Sequence, residues 1–155
     1  MQLTAQNQFD SATPTQIDAI QKAKLTVCCC TTDVHEYGKI LLEETLSRFN
    51  VRVIDAGIHA DPQDVVDLIR ENGVNAIAIS TYNGVALDYL KQLQQALKEN
   101  GIRCPILMGG RTNQILPETV SSMPVDVSEE LVSEGAIVCR SMNDLIPQLI
   151  SLAEQ

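Results

Sequence analysis

Tryptophan is absent from the 155 residues, and aromatic residues make up only 3%. A fold that sandwiches a flavin between aromatic rings is poorly served by that composition. Basic residues are also scarce, 11 Lys and Arg against 20 Asp and Glu, for a net charge of −9. No basic cluster occurs, so neither nucleic acid nor an anionic membrane surface is an expected partner. No apolar run approaches the roughly 18 residues that a membrane span needs. Residues 1–7 have no basic region and no apolar core, so no secretory leader is expected and the chain reads as cytoplasmic. The five cysteines contain no C-x-x-C, which disfavours a zinc knuckle or a thioredoxin-like motif. G-x-G-x-x-G is missing as well, and with it the fingerprint of a dinucleotide fold. Histidine occurs twice, as His35 and His59.

What is present is an ordinary apolar fraction of 45%, in a length that suits one domain with a real core. Thr13-Pro14 opens a short helix through Lys24, with Ile17 and Ile20 as a narrow apolar stripe. Residues 1–24 thus read as a partly helical N-terminal extension to a domain spanning 25–155. Apolar runs at 25–30, 51–55, 74–80, 104–108 and 136–139 read as buried strands. Amphipathic runs at 40–49, 62–72, 85–100 and 141–153 read as helices, the first with Ile40, Leu41, Leu42, Leu46 and Phe49 on one side. Asp61-Pro62 is a helix start, and Gly73 and Gly101 are stops. Shorter helices are expected near 114–121 and 128–133. Strand and helix alternate throughout, which predicts an α/β fold: a three-layer, Rossmann-like domain with a five-stranded parallel sheet. Five strands in this length favour the flavodoxin-like order 2-1-3-4-5 over 3-2-1-4-5. Cys28, Cys29, Cys30, Cys104 and Cys139 all lie in apolar runs and read as small core residues in a reduced compartment.

In the 2-1-3-4-5 order a ligand crevice opens where the first and third strands diverge. The first strand ends in Thr31-Thr32-Asp33-Val34-His35-Glu36-Tyr37-Gly38. The third ends in Ser80-Thr81-Tyr82-Asn83-Gly84, and the fourth in Gly109-Gly110. Asp33 and His35 are two apart, so on an extended segment they point the same way. A carboxylate there can hold one ring nitrogen and leave the other to bind a metal or move a proton. Each residue also has a plainer role. Asp33, Ser80 and Thr81 are helix caps, Gly38 and Gly110 serve turns, and His59 beside Asp61 is an exposed structural residue. A phosphoacceptor receiver needs an Asp where Ser80-Thr81 stands. A flavodoxin phosphate loop would not carry Asp33.

Asp33-x-His35-x-x-Gly38, a Ser80-led strand end and Gly109-Gly110 together resemble the base-off, His-on cobalamin-binding domain family, whose pattern is D-x-H-x-x-G, S-x-L and G-G. The likeness runs from about Leu25 to the C-terminus. It implies His35 as the lower cobalt ligand, Asp33 on the other ring nitrogen, and Val34 and Gly38 in the same loop. It further implies a nucleotide tail in a slot between the first and third strands, with Ser80, Thr81 and Tyr82 at its base end. Gly109 and Gly110 would lie along the tail, and Gly135 with Ala136 would border it. Tyr82 replaces the pattern's Leu, and Glu134-Gly135-Ala136 replaces its usual P-G-T.

By the same resemblance the chain is most like the small cobalamin subunit of adenosylcobalamin-dependent mutases, in the style of glutamate mutase or methylmalonyl-CoA mutase. Adenosylcobalamin is then the expected cofactor, with methylcobalamin as the alternative. A larger barrel-type mutase subunit is the expected partner, and a homodimer the other assembly. The 24 residues before the first strand are too few for the helical bundle of methyl-transferring corrinoid proteins. No catalytic residue is expected on this chain alone. Two other functions stay open: a corrinoid carrier or sensor without catalysis, and a hydrolase or isomerase using Cys30 with His35.

Overall fold

The computed structural model describes residues 12–32, 37–81, 84–110, 113–114 and 125–155. Asp33, Val34, His35 and Tyr82 lie outside them, as does most of the helix expected near 114–121.

The chain opens with α1 (Pro14–Ala23), followed by β1 (Thr26–Thr31), α2 (Tyr37–Arg48), β2 (Arg52–Gly57) and α3 (Pro62–Asn72). Next come β3 (Ala76–Thr81), α4 (Ala86–Glu99) and β4 (Ile106–Gly110). A short pair, β5 (Asn113–Gln114) and β6 (Val125–Asp126), precedes α5 (Ser128–Ser133), β7 (Ala136–Cys139) and α6 (Leu145–Ala153). A 3₁₀ turn (Met142–Asp144) leads into α6. The main sheet is parallel throughout, in the order β2-β1-β3-β4-β7. Taking these five strands in chain order, this is 2-1-3-4-5. β5 and β6 form a separate antiparallel pair, Asn113 opposite Asp126 and Gln114 opposite Val125.

Both faces of the sheet are covered, so its strands are apolar on both sides. Cys28, Cys30, Ile77, Ile79 and Met108 pack under α3, α4 and α5. Val27, Cys29, Ala76, Ala78 and Leu107 pack under α1, α2 and α6. The consecutive cysteines of β1 therefore serve both cores alternately, as strand geometry requires. Local chemistry starts the helices. Thr13 Oγ1 accepts from Gln16 N at 3.1 Å while Gln16 Oε1 accepts from Thr13 N at 2.9 Å, a capping box ahead of Pro14. Asp61 accepts from Gln63 N at 2.8 Å, ahead of Pro62. No helix among the described residues is long and apolar enough to cross a membrane.

Three expectations need correction. Ile40 is 46% exposed, although its helix was expected to bury it. The buried side is set by Leu42, Leu46 and Phe49 at helical spacing, and a residue two places from Leu42 faces away. β4 starts at Ile106 rather than Cys104 and, as expected, ends in Gly109 and Gly110, which pair with Ser80 and Thr81 of β3. Gln114 is in a strand rather than at the start of a helix.

α1 is part of the fold rather than an appendage. Ile20 is fully buried in the core it shares with Leu46, Phe49 and Leu149, and α1 packs against α6. Ile20→Ala should cost about 2–5 kcal/mol in denaturant unfolding, the range for a buried Ile truncation. A change near zero would mean that α1 is not docked.

Candidate cofactor site

At the carboxyl ends of β3 and β4, on the face covered by α2 and α6, lies an open cavity of about 260 Å³. Leu41 and Leu42 of α2, Leu107 and Met108 of β4, and Leu145 of α6 line it. Ser80 brings a hydroxyl to this largely apolar slot, and Arg140 and Ser141 border it after β7.

The glycines of the site have distinct reasons to be glycine. A Cβ on Gly38 would stand 2.5 Å from Ser80 Oγ, so that hydroxyl would have to turn away or the first turn of α2 to shift. Gly110 has φ of +93°, and a Cβ there would run into the Thr81 carbonyl oxygen. At Gly109 a Cβ would come within 3.2 Å of the Cys139 carbonyl oxygen. The pair keeps β4 close to both neighbours and leaves the cavity floor without side chains.

The structure thus brings Gly38, Ser80, Gly109 and Gly110 together. It does not bring Thr81 or Gly135 to them. Thr81 is buried, with Thr32 Oγ1 donating to its Oγ1 at 2.9 Å, and does not line the cavity. Gly135 precedes β7 at the opposite, amino end of the sheet, where a Cβ would meet Gln94 Nε2 of α4 at 2.8 Å. In a parallel sheet the residues that reach the site follow a strand, so Cys139, Arg140 and Ser141 occupy the border assigned to Gly135 and Ala136. The slot also lies over β3 and β4, not between β1 and β3. Asp33, Val34, His35 and Tyr82 are outside the described residues.

Around the slot the carboxyl edge is stitched together. Thr32 N donates to Ser80 O at 3.2 Å, and Ala60 N donates to Thr31 O at 3.3 Å. Lys39, next to Gly38, is only 6% exposed. Its Nζ lies 2.7 Å from Glu43 Oε1 and 2.7 Å from Asp55 Oδ1 of β2. Desolvation works against the Lys39 charge, but these two partners outweigh it and raise its pKa. Burial likewise opposes the Asp55 charge, yet the bonds from Lys39 and from Gly57 N–H hold its pKa below the ordinary carboxylate value. Sequence reading missed this clamp, whose only signal was Lys39 and Glu43 at helical spacing. His59 is exposed, as expected, but its ring meets the edge: Nδ1 is 3.2 Å from Thr32 O.

Cys30 is fully buried among the residues under α3 and α4, on the face away from the slot. Desolvation pushes its thiol up to about 12, so the thiolate that a Cys30 nucleophile needs is not available near neutrality. The hydrolase reading loses its nucleophile.

A largely apolar slot with serine hydroxyls at its rim and glycines in its floor can take a flat group. The B12 binding domain family matches residues 23–134. The chain belongs to that family. It is 26% identical over 102 residues to the fused isobutyryl-CoA mutase of Cupriavidus metallidurans, which covers 66% of this chain but 9% of the mutase. The chain therefore spans a small fraction of that curated relative. A solved cobalamin-binding protein from Desulfitobacterium hafniense superposes with a TM-score of 0.66 at 20% identity, over 84% of this chain and 60% of that one. The methanol:cobalamin methyltransferase complex of Methanosarcina barkeri gives a TM-score of 0.67 at 18% identity, over 84% of this chain and 47% of that one. These two likenesses establish the fold.

The clamp has a pH signature. Because the folded pKa of Asp55 is depressed, its stabilisation is present above its ordinary value of 3.8 and is lost as pH falls through the folded value. Asp55→Asn should therefore lose about 1 kcal/mol at neutral pH, a modest figure for a pair with one partner half exposed. Thermal melts should show that difference shrinking on acidification below the ordinary carboxylate value. A constant difference would mean that the carboxylate charge is not the source.

Proposed function

We propose that this B12-binding chain is the small subunit of an adenosylcobalamin-dependent radical mutase and holds the cofactor base-off, with His35 as the lower cobalt ligand. The observation that supports this best is the slot over β3 and β4, opened by Gly38 and floored by Gly109 and Gly110. A tail that has left the cobalt needs such a place, and the vacated coordination position then needs a protein ligand. His35 is the nearest histidine in sequence to the slot's first glycine, three residues before Gly38.

The roles follow from donor chemistry. His35 offers one ring nitrogen to cobalt. Asp33 accepts the proton of the other, which fixes the tautomer and raises the basicity of the ligand. Val34 and Tyr82 complete the proposed set of cofactor-binding residues. Ser80 hydrogen-bonds the tail base, and Leu41, Leu42, Leu107 and Leu145 exclude water around it. Adenosylcobalamin, when bound, supplies a cobalt–carbon bond whose homolysis starts radical rearrangement. This chain orients and ligates, while a separate barrel subunit supplies the substrate site. The mutase relative supports this reading over a methylcobalamin carrier. Residues 25–155 make up the binding domain, with α1 as its docked N-terminal extension, and the protein works in the cytoplasm.

Purified protein mixed with hydroxocobalamin should become red and stay red through desalting. On reduction to the Co(II) form, its paramagnetic spectrum should show nitrogen splitting that changes when the protein carries heavy-nitrogen histidine. His35→Ala should abolish the label-sensitive splitting and leave the circular dichroism unchanged. Splitting insensitive to the label would mean that benzimidazole remains on cobalt, and the base-off assignment would fail.

A further inference from the structure

The second histidine is absorbed by no role so far, and its setting is unusual. His59 has φ of +49°, in the left-handed region that side chains other than glycine seldom enter. The loop between β2 and α3 is held there by three contacts to the end of β1. His59 N donates to Thr31 Oγ1 at 3.1 Å, Ala60 N donates to Thr31 O at 3.3 Å, and His59 Nδ1 lies 3.2 Å from Thr32 O. A carbonyl only accepts, so Nδ1 carries the proton and donates. In the neutral ring this leaves Nε2 as an acceptor, and it has no hydrogen-bond partner among the described residues. Thr32 immediately precedes Asp33 in sequence and is itself tied to Ser80 and Thr81. A ring bound to Thr32 O thus stands at the carboxyl edge of the sheet, on the β2 side of the strands that carry the slot. Its neighbour Ile58 is 40% exposed and adds an apolar shoulder.

We propose that His59 is a further corrin-binding residue, its Nε2 accepting a hydrogen bond from one of the primary amides on the corrin rim. This rests on the reading of the site as a cobalamin site. The match is one of donor to acceptor: corrin amides offer N–H groups, and backbone strain at His59 is tolerated where it aims a side chain at a ligand. Locking the tautomer through Thr32 gives the contact selectivity. An amide N–H satisfies Nε2, whereas a carboxylate in its place offers no proton.

The test is a visible-absorbance titration of wild type, His59→Ala and His59→Gly, the last suiting the left-handed backbone. The probes are hydroxocobalamin and its three monocarboxylates, each with one propionamide hydrolysed. We expect both variants to bind hydroxocobalamin about fivefold more weakly, the equivalent of one net hydrogen bond. For one monocarboxylate, wild type and variants should bind alike, and the histidine-derived splitting on Co(II) should persist in both variants. Unchanged affinity in both variants would overturn the proposal. So would the same fivefold loss with every probe, or loss of the splitting, each of which marks His59 as a support for the loop alone. If wild type itself binds no hydroxocobalamin, the cobalamin reading fails first and this contact falls with it.

Discussion

A missing side chain governs the site. α2 lies close against β3 at Gly38, where a Cβ would stand 2.5 Å from Ser80 Oγ and would force that hydroxyl to turn or the helix to shift. The slot is the space bounded by that approach on one side and by α6 on the other. Its floor depends on the same economy of atoms, since the backbone of β3 leaves no room for a Cβ at Gly110 and that of β7 only a tight fit at Gly109. The cavity is therefore made by backbones packed as closely as glycine allows. Its walls are left mainly to leucines, which shape without hydrogen-bonding.

Polar work is confined to the rim. Thr31 and Thr32 reach to the loop after β2 on one side and to Ser80 and Thr81 on the other. Lys39 ties α2 to β2 through Asp55. These links tie the ends of β1 and β3 and the loop after β2 to one another without placing a charge inside the slot. A hydrogen bond to a charged group is worth roughly twice a neutral one, and burial of Lys39 makes both of its partners necessary.

The architecture was legible because its signals were local and repeated. Buried runs such as 25–30 and 74–80 have no polar face and can only be central strands of a doubly covered sheet. Gly38, Ser80, Gly109 and Gly110 were legible because parallel strands deliver their carboxyl ends to one edge. What escaped was set by tertiary contact. Thr81 looks like Ser80 in sequence, but the alternation of β3 turns it to the opposite face, onto Thr32. Gly135 matched a pattern while standing at the wrong end of β7. Lys39 reads as a surface residue until β2 is placed beside it. The apolar stripe of α2 also misled at Ile40, since the three adjacent candidates Ile40, Leu41 and Leu42 leave the helix's rotation undetermined until the sheet chooses one face.

The docking of α1 on α6 has a further consequence. The helix that leads into the sheet and the helix that leaves it share one layer, on the side opposite α3, α4 and α5. A module with neighbouring entrance and exit can be spliced between segments of a larger polypeptide without spreading its own ends apart.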